Sequence, residues 1–320
     1  MKSHTCRVVR AFARAIVLAA AGLAGSGTAA GDQAAARLRM DPVKALRIQG
    51  VTDVESREFN ARIAAMHAFL GTLAELREPR PPECASVYSN MEARKNAVAG
   101  TVQGGAVIGF MTGPPGGPCP KVASTAIQIR LNDLRWIYSC PRQLREQQFC
   151  TVPAFEPGPG GFLRWEGRQA FYVWTRGGEP LLLPVTKDDY LRAWEAEMQA
   201  RIAAGEGDPA WLGKEIERIR ARRSALGAEQ RALPACEQVP EAGKEYLQWE
   251  PGAGACAPGR ALGTPNPGAV RSTPSPVDVE AIVLRTETGR VVGVPVEAHE
   301  HKLRVLGAFD FEGLVRVLTR

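Results

Sequence analysis

Residues 186–226 read TKDDYLRAWEAEMQARIAAGEGDPAWLGKEIERIRARRSAL, two amphipathic helical patterns separated by a glycine turn. Thr186 and Asp189 stand three apart, the spacing at which a hydroxyl and a carboxylate satisfy each other's backbone amides at a helix start. Leu191, Trp194, Met198 and Ile202 follow at three- and four-residue steps, which places them on one helical face. Gly205-Glu206-Gly207 breaks the pattern. Asp208 is then the next N-cap, and Pro209 occupies the first helical position, where a missing N–H costs nothing. Leu212, Ile216, Ile219, Leu226 and Leu233 continue in heptad-like register, with Arg223 and Gln230 interrupting the seam. A connection this short makes the two helices antiparallel neighbours, an αα-hairpin.

A third helix lies upstream. Thr52 and Glu55 form another capping box, and Phe59, Ile63, Met66, Leu70 and Leu73 line one face of a helix expected to run to about Arg77. Pro79, Pro81 and Pro82 end it, because proline cannot donate and clashes with the preceding turn. Alternating apolar runs elsewhere predict three hairpins. Thr125–Leu131 pairs with Arg135–Ser139 across Asn132-Asp133, and Ala170–Thr175 pairs with Leu181–Val185 across Arg176-Gly177-Gly178-Glu179. Val279–Arg285 pairs with Val291–Val296 across Thr286-Glu287-Thr288-Gly289. The sum is an α+β fold, with β-hairpins packed on long amphipathic helices.

The first 30 residues explain the cysteine content. Lys2, Arg7, Arg10 and Arg14 precede an uncharged run from Ala15 to Ala30, and Thr28-Ala29-Ala30 supplies the small residues a signal peptidase requires. Residues 1–30 read as a bacterial export signal, with Gly31 as the mature start and the periplasm or the extracellular space as the destination. Cys6 leaves with the signal; Cys84, Cys119, Cys140, Cys150, Cys236 and Cys256 remain for up to three disulfides.

Two parallels suggest how these cysteines pair. A helix is followed by Pro82-Glu83-Cys84, and another by Pro234-Ala235-Cys236. Residues 41–205 and 206–320 then read as two helix-plus-hairpin units sharing the αα-hairpin. Matches between the last hairpin and the other two point the same way, among them Ala126-Ile127 and Arg130 against Ala281-Ile282 and Arg285. Equivalent bridges would be Cys84–Cys119 and Cys236–Cys256, with Cys140–Cys150 a local loop. Sequential pairing also costs the least chain entropy to close. The stretch Pro251–Pro276, rich in Gly, Pro, Ser and Thr, reads as an extended linker, and Gly31–Gly50 as loosely ordered.

The stretch Glu179–Leu191 resembles a hairpin-to-helix segment of uncharacterised bacterial exported proteins. The resemblance covers thirteen residues and implies export, with no activity attached.

Composition and motifs narrow the chemistry. Four of the 40 Lys and Arg lie in the signal, so 36 basic residues face 34 acidic ones in the mature chain, which gives no basis for nucleic-acid binding. The chain has neither a G-x-S-x-G nucleophile elbow nor H-E-x-x-H, no C-x-x-C pair follows the signal, and nothing calls for a cofactor. His299-Glu300-His301 is the one histidine cluster; on a strand both rings would share a face and could ligate a metal, whereas on a helix they diverge by about 200°. Ala97–Gly113 carries no charge and has Gly105, Gly109 and Gly113 at every fourth residue. It is too short and polar for a bilayer span of about 20 residues, so it reads as a strand pair, Ala97–Gln103 with Ala106–Met111.

Arg218, Arg220, Arg222 and Arg223 read as the wet face of a helix, and Phe162, Trp165, Phe171, Tyr172 and Trp174 as mainly core. The functional reading is an exported, disulfide-stapled cell-envelope protein with a non-catalytic binding or structural role. Its expected partner is an envelope protein or cell-wall polysaccharide, not nucleic acid and not a membrane. The alternative is a secreted hydrolase using carboxylates or a His299/His301 metal.

Overall fold

The computed structural model describes residues 37–96, 100–114, 117–145, 147–237, 256–270 and 273–320. The export signal at 1–30 therefore lies outside the described residues, as do Ala97–Ala99 of the expected strand pair and 251–255 of the expected linker. The chain opens with β1 (Leu38–Met40), α1 (Asp53–Leu70), α2 (Ala74–Arg77), β2 (Glu83–Met91), β3 (Gly104–Thr112) and β4 (Thr125–Leu131). The middle contributes β5 (Ser139–Gln143), β6 (Gln148–Thr151), β7 (Glu156–Pro157), β8 (Leu163–Glu166), β9 (Gln169–Thr175) and β10 (Leu182–Pro184). Then come α3 (Lys187–Ala203), α4 (Pro209–Ala225), α5 (Ala228–Ala232), β11 (Gly263–Pro265), β12 (Ala281–Glu287), α6 (Val296–Gly307) and α7 (Phe311–Leu318).

The fold is α+β. Eight strands form one sheet in the order β1-β2-β3-β4-β12-β9-β8-β7, and β10-β11-β6-β5 form a second. Among the described strands the β1–β2 pair runs parallel and the other strand pairs antiparallel. β12, from the segment 206–320, lies between β4 and β9 of the segment 41–205. Side chains alternate across each strand. One face of the large sheet sends Val87, Ile108, Phe110, Ile127, Ile129, Ile282 and Leu284 into a core closed by Phe59, Ile63 and Met66 of α1 and Val305 and Leu314 of α6 and α7. The opposite face is covered only in part, where Leu134, Ile137, Leu181 and Val270 pack on Phe171, Val173 and Val283.

Both capping boxes form. The Thr52 amide reaches Glu55 Oε2 at 2.7 Å, and the Asp189 amide reaches Thr186 Oγ1 at 3.1 Å. α3 and α4 make the expected αα-hairpin, with Leu191, Met198, Leu212, Ile216 and Ile219 between them. Each helix series stops sooner than its apolar stripe. α1 ends at Leu70 before Gly71, and α4 ends at Ala225, where Leu226 turns extended and Gly227 starts α5. Leu73 and Leu226 still pack on their clusters from beyond the helix ends, so the stripe is buried without a continuous helix.

The three disulfides are Cys84–Cys119, Cys140–Cys150 and Cys236–Cys256, the sequential pairing expected. The first ties β2 to the loop before β4. By loop closure each removes about 3–4 kcal/mol of unfolded-chain entropy.

The hairpins are corrected. The first strand of each exists, but none pairs with its own sequel. A strand has only two edges, and β4 gives its edges to β3 and β12, β9 to β8 and β12, and β12 to β4 and β9. The three expected first strands thus lie side by side, and their sequels have no edge to join. Residues 135–137 form a turn closed by the Ile137 amide on the Leu134 carbonyl, 3.1 Å. Leu182–Pro184 pairs with β11 in the second sheet, and Val291–Val296 leads into α6. β3 is likewise one strand held between β2 and β4, not half of a pair with 97–103.

The glycine spacing on β3 has a packing cause. A Cβ at Gly105 would collide with the Ile129 carbonyl oxygen, and one at Gly109 would lie 2.6 Å from Ala123 Cβ. Two segments expected to be irregular also supply strands: Leu38–Met40 pairs with β2, and Gly263–Pro265 with β10. At Gly263 a Cβ would come within 2.6 Å of the Leu183 carbonyl oxygen, so that pairing requires glycine.

Candidate functional site

The partly covered face of the large sheet carries a continuous row of side chains. Tyr88 on β2 stands opposite Val107 on β3, Val107 opposite Gln128 on β4, and Gln128 opposite Arg285 on β12. Arg285 is opposite Phe171 on β9, and Phe171 opposite Trp165 on β8. Six strands at about 4.8 Å spacing make the row about 24 Å long. Tyr88 is 41% exposed, Val107 and Phe171 form a buried floor, and Gln128, Arg285 and Trp165 are half-buried.

One residue pair further along, Arg130 of β4 lies opposite Val283, diagonal to Arg285. Trp136, on the turn after β4, bridges the two arginines. The Arg130 guanidinium carbon is 4.5 Å from its ring centroid and the Arg285 carbon 5.3 Å. Arg285 also lies 5.9 Å from the Phe171 ring, which itself packs on Trp165 at 5.8 Å. Stacking on π faces offsets part of the cost of holding two like charges together, about 0.5–1 kcal/mol for each exposed contact. It does not neutralise them. Among the described residues neither guanidinium has a carboxylate within ion-pair distance.

The basic residues of α4 are arranged differently. Arg218 pairs with Glu215 at 2.5 Å, Arg220 with Glu195 at 2.7 Å and Arg223 with Asp188 at 2.6 Å. The Arg223 hydrogen bond holds the Asp188 carboxyl below its ordinary value. This patch is therefore largely compensated on its own hairpin.

The expected aromatic cluster divides between the two faces. Phe162 and Tyr172 pack on Phe311 in the helix-side core, with centroids 5.1 and 4.8 Å from its ring. Burial pushes the Tyr172 phenol up to about 12, helped by its bond to Glu166. Trp165 and Phe171 face the other way, into the row.

His299 and His301 lie on α6, where residues two apart diverge, so the two rings do not meet. The strand geometry that would let them share a metal is not the one the chain adopts. Phe110, 5.1 Å from the His301 ring, belongs to the helix-side core, and His301 Nε2 is 2.8 Å from the Glu75 carbonyl oxygen. No cluster of three or more His, Cys, Asp or Glu placed to hold a metal occurs among the described residues.

Asp278 and Glu280, two carboxylates that share the Thr273 hydroxyl, are already engaged. The Thr273 hydroxyl lies 3.0 Å from Asp278 and 2.8 Å from Glu280. Arg62 binds Asp278 at 2.7 Å, and Arg176 lies 3.2 Å from Glu280. This cluster joins the loop before β12 to α1 and to the end of β9.

Sequence reasoning missed the row because it follows strand order, and strand order is not local. A signal was present nonetheless. Thr125–Leu131 alternates strictly, with Gln128 and Arg130 at polar positions, and Arg130 and Arg285 occupied matching places in the strand comparison.

No family model matches the chain, and neither a curated protein nor a solved structure does. Among the described residues no helix is long and apolar enough to cross a membrane.

Proposed function

We propose that this is an exported, non-catalytic binding protein of the bacterial cell envelope. The reading of residues 1–30 as an export signal supports the location, as do the resemblance of 179–191 to exported proteins and the three disulfides, which oxidising compartments favour. One observation carries the binding role: Arg130 and Arg285 stack on Trp136 without carboxylate partners among the described residues, on a sheet face left partly open. Unpaired charge is costly to keep beside apolar neighbours, and a ligand that neutralises it recovers that cost.

Export is tested by expressing the full chain with a C-terminal tag in a Gram-negative host and blocking free thiols during fractionation. Recovery outside the cytoplasm, starting at Gly31 and with no free thiol, is the expected result. Uncleaved, thiol-reactive protein in the cytoplasm would overturn it. Binding is tested by tryptophan fluorescence of the disulfide-bonded protein against solubilised envelope polysaccharide. A saturable change that Trp136→Phe removes is expected, and a response unaffected by that substitution refutes the face.

A further inference from the structure

We infer that the sheet face binds an acidic polysaccharide, with Arg130 and Arg285 receiving carboxylate groups of the polymer; this rests on the binding reading above. Charge comes first. Two guanidiniums diagonal on neighbouring strands, both over the Trp136 ring and neither ion-paired among the described residues, present a local positive field on a mature chain that is close to neutral. Guanidinium is the side chain best shaped to take a carboxylate through two parallel N–H donors. Neutral sugars would leave both charges uncompensated.

Geometry argues for a glycan over a peptide. β3, β4 and β12 are interior strands with both edges hydrogen-bonded, and β2 is paired with β1 over Ala85–Val87, so an extended peptide cannot add beside β3, β4 or β12 by strand pairing. Recognition has to come from side chains standing off the sheet. Those available are planar or hydrogen-bonding groups: the Tyr88 phenol, the Gln128 amide, the Trp136 ring and two guanidiniums. Val107, 8% exposed, forms a low apolar floor between Tyr88 and Gln128 in the row. A flat polymer laid along the row meets Tyr88, Gln128 and Arg285 across four strands, about 14 Å at about 4.8 Å spacing, which a single small anion would not use.

The face does not fit a lipid surface. Membrane-binding faces expose clustered apolar side chains. Here Val107 and Phe171 are only 8% and 6% exposed, and Tyr88 carries a hydroxyl.

The experiment uses the disulfide-bonded protein and four probes: polygalacturonate, a neutral glucan of the same length, inorganic sulfate, and phosphatidylglycerol vesicles. Titration is followed by Trp fluorescence and calorimetry at two salt concentrations, and sedimentation reports the oligomeric state. Polygalacturonate is expected to bind at least tenfold more tightly than glucan or sulfate, and to weaken as salt rises. Arg130→Gln with Arg285→Gln is expected to weaken it at least tenfold and to remove most of its salt dependence. Near-ultraviolet circular dichroism checks that this variant keeps its fold; if it does not, the salt dependence and the polygalacturonate-to-glucan ratio of the unaltered protein decide alone.

Equal binding of glucan and polygalacturonate refutes the acidic class and leaves a binding face. Binding to vesicles alone, to sulfate as tightly as to the polymer, or an arginine-dependent dimer assigns the face to another occupant and overturns the proposal. No binding to any probe refutes the class as well. In that case a solubilised-envelope titration that still responds through Trp136 preserves the broader reading, and one that does not removes it.

Discussion

Replacing Asn132 with alanine should cost about 5 kcal/mol, roughly half of a typical folding free energy of about 5–15 kcal/mol. Asn132 follows β4, is 1% exposed, and holds a positive φ of 57°. Its side-chain amide donates to the carbonyls of Val102 at 3.1 Å and Asp278 at 2.7 Å. Its side-chain oxygen accepts from the amides of Glu280 at 2.8 Å and Ala281 at 3.2 Å. Both donors and both lone-pair directions are used, and one side chain joins the starts of β3 and β12 to the end of β4. Four buried hydrogen bonds at about 1 kcal/mol each give about 4 kcal/mol, and alanine in the left-handed region adds at least about 1 kcal/mol.

Urea unfolding followed by tryptophan fluorescence, with the disulfides intact, measures the loss. Asn132→Gly keeps the backbone conformation at no steric cost and should recover about 1 kcal/mol of it. Asn132→Asp should be as damaging as alanine at neutral pH, because one carboxylate oxygen would face two carbonyl oxygens. A loss under about 1.5 kcal/mol for Asn132→Ala would refute the assignment of this residue as the clamp between the three strands.

Two glycines should respond in opposite directions. Gly105→Ala drives a Cβ into the Ile129 carbonyl and should destabilise by about 3 kcal/mol or more, whereas a Cβ at Gly213 within α4 meets nothing within 4 Å and should stabilise by about 1 kcal/mol. Thermal melting of both variants checks this, and equal shifts would contradict it. Burial holds the His301 imidazole below its ordinary value, although the Glu75 carbonyl and the Glu83 charge pull it upward and Arg304 pushes it further down. The unfolded chain therefore takes up the proton first as pH falls, and the stability tied to neutral His301 is present above about pH 6.5 and declines below it. His301→Gln should cost more at pH 7.5 than at pH 5; a gap independent of pH would rule out this account.

Much of the local structure was legible because its causes are local. Thr52 with Glu55 and Thr186 with Asp189 fix where α1 and α3 begin, since a cap needs only residues three apart. The short turn before Asp208 makes the αα-hairpin by chain length alone. The sequential pairing of six cysteines follows from the low entropy of closing short loops. Strand partners are another matter. Thr125–Leu131, Ala170–Thr175 and Val279–Arg285 each read as strands, yet which edge each one offers depends on segments more than a hundred residues away. Asn132 read as a turn residue, and its role as a clamp needs Val102 and Asp278 brought to it. Arg130, Arg285 and Trp136 read as ordinary polar and aromatic positions until β12 enters between β4 and β9. Periodicity determines which residues share a face of one strand. Only the competition of all strands for a limited number of edges decides which faces become neighbours, and that competition created the candidate site.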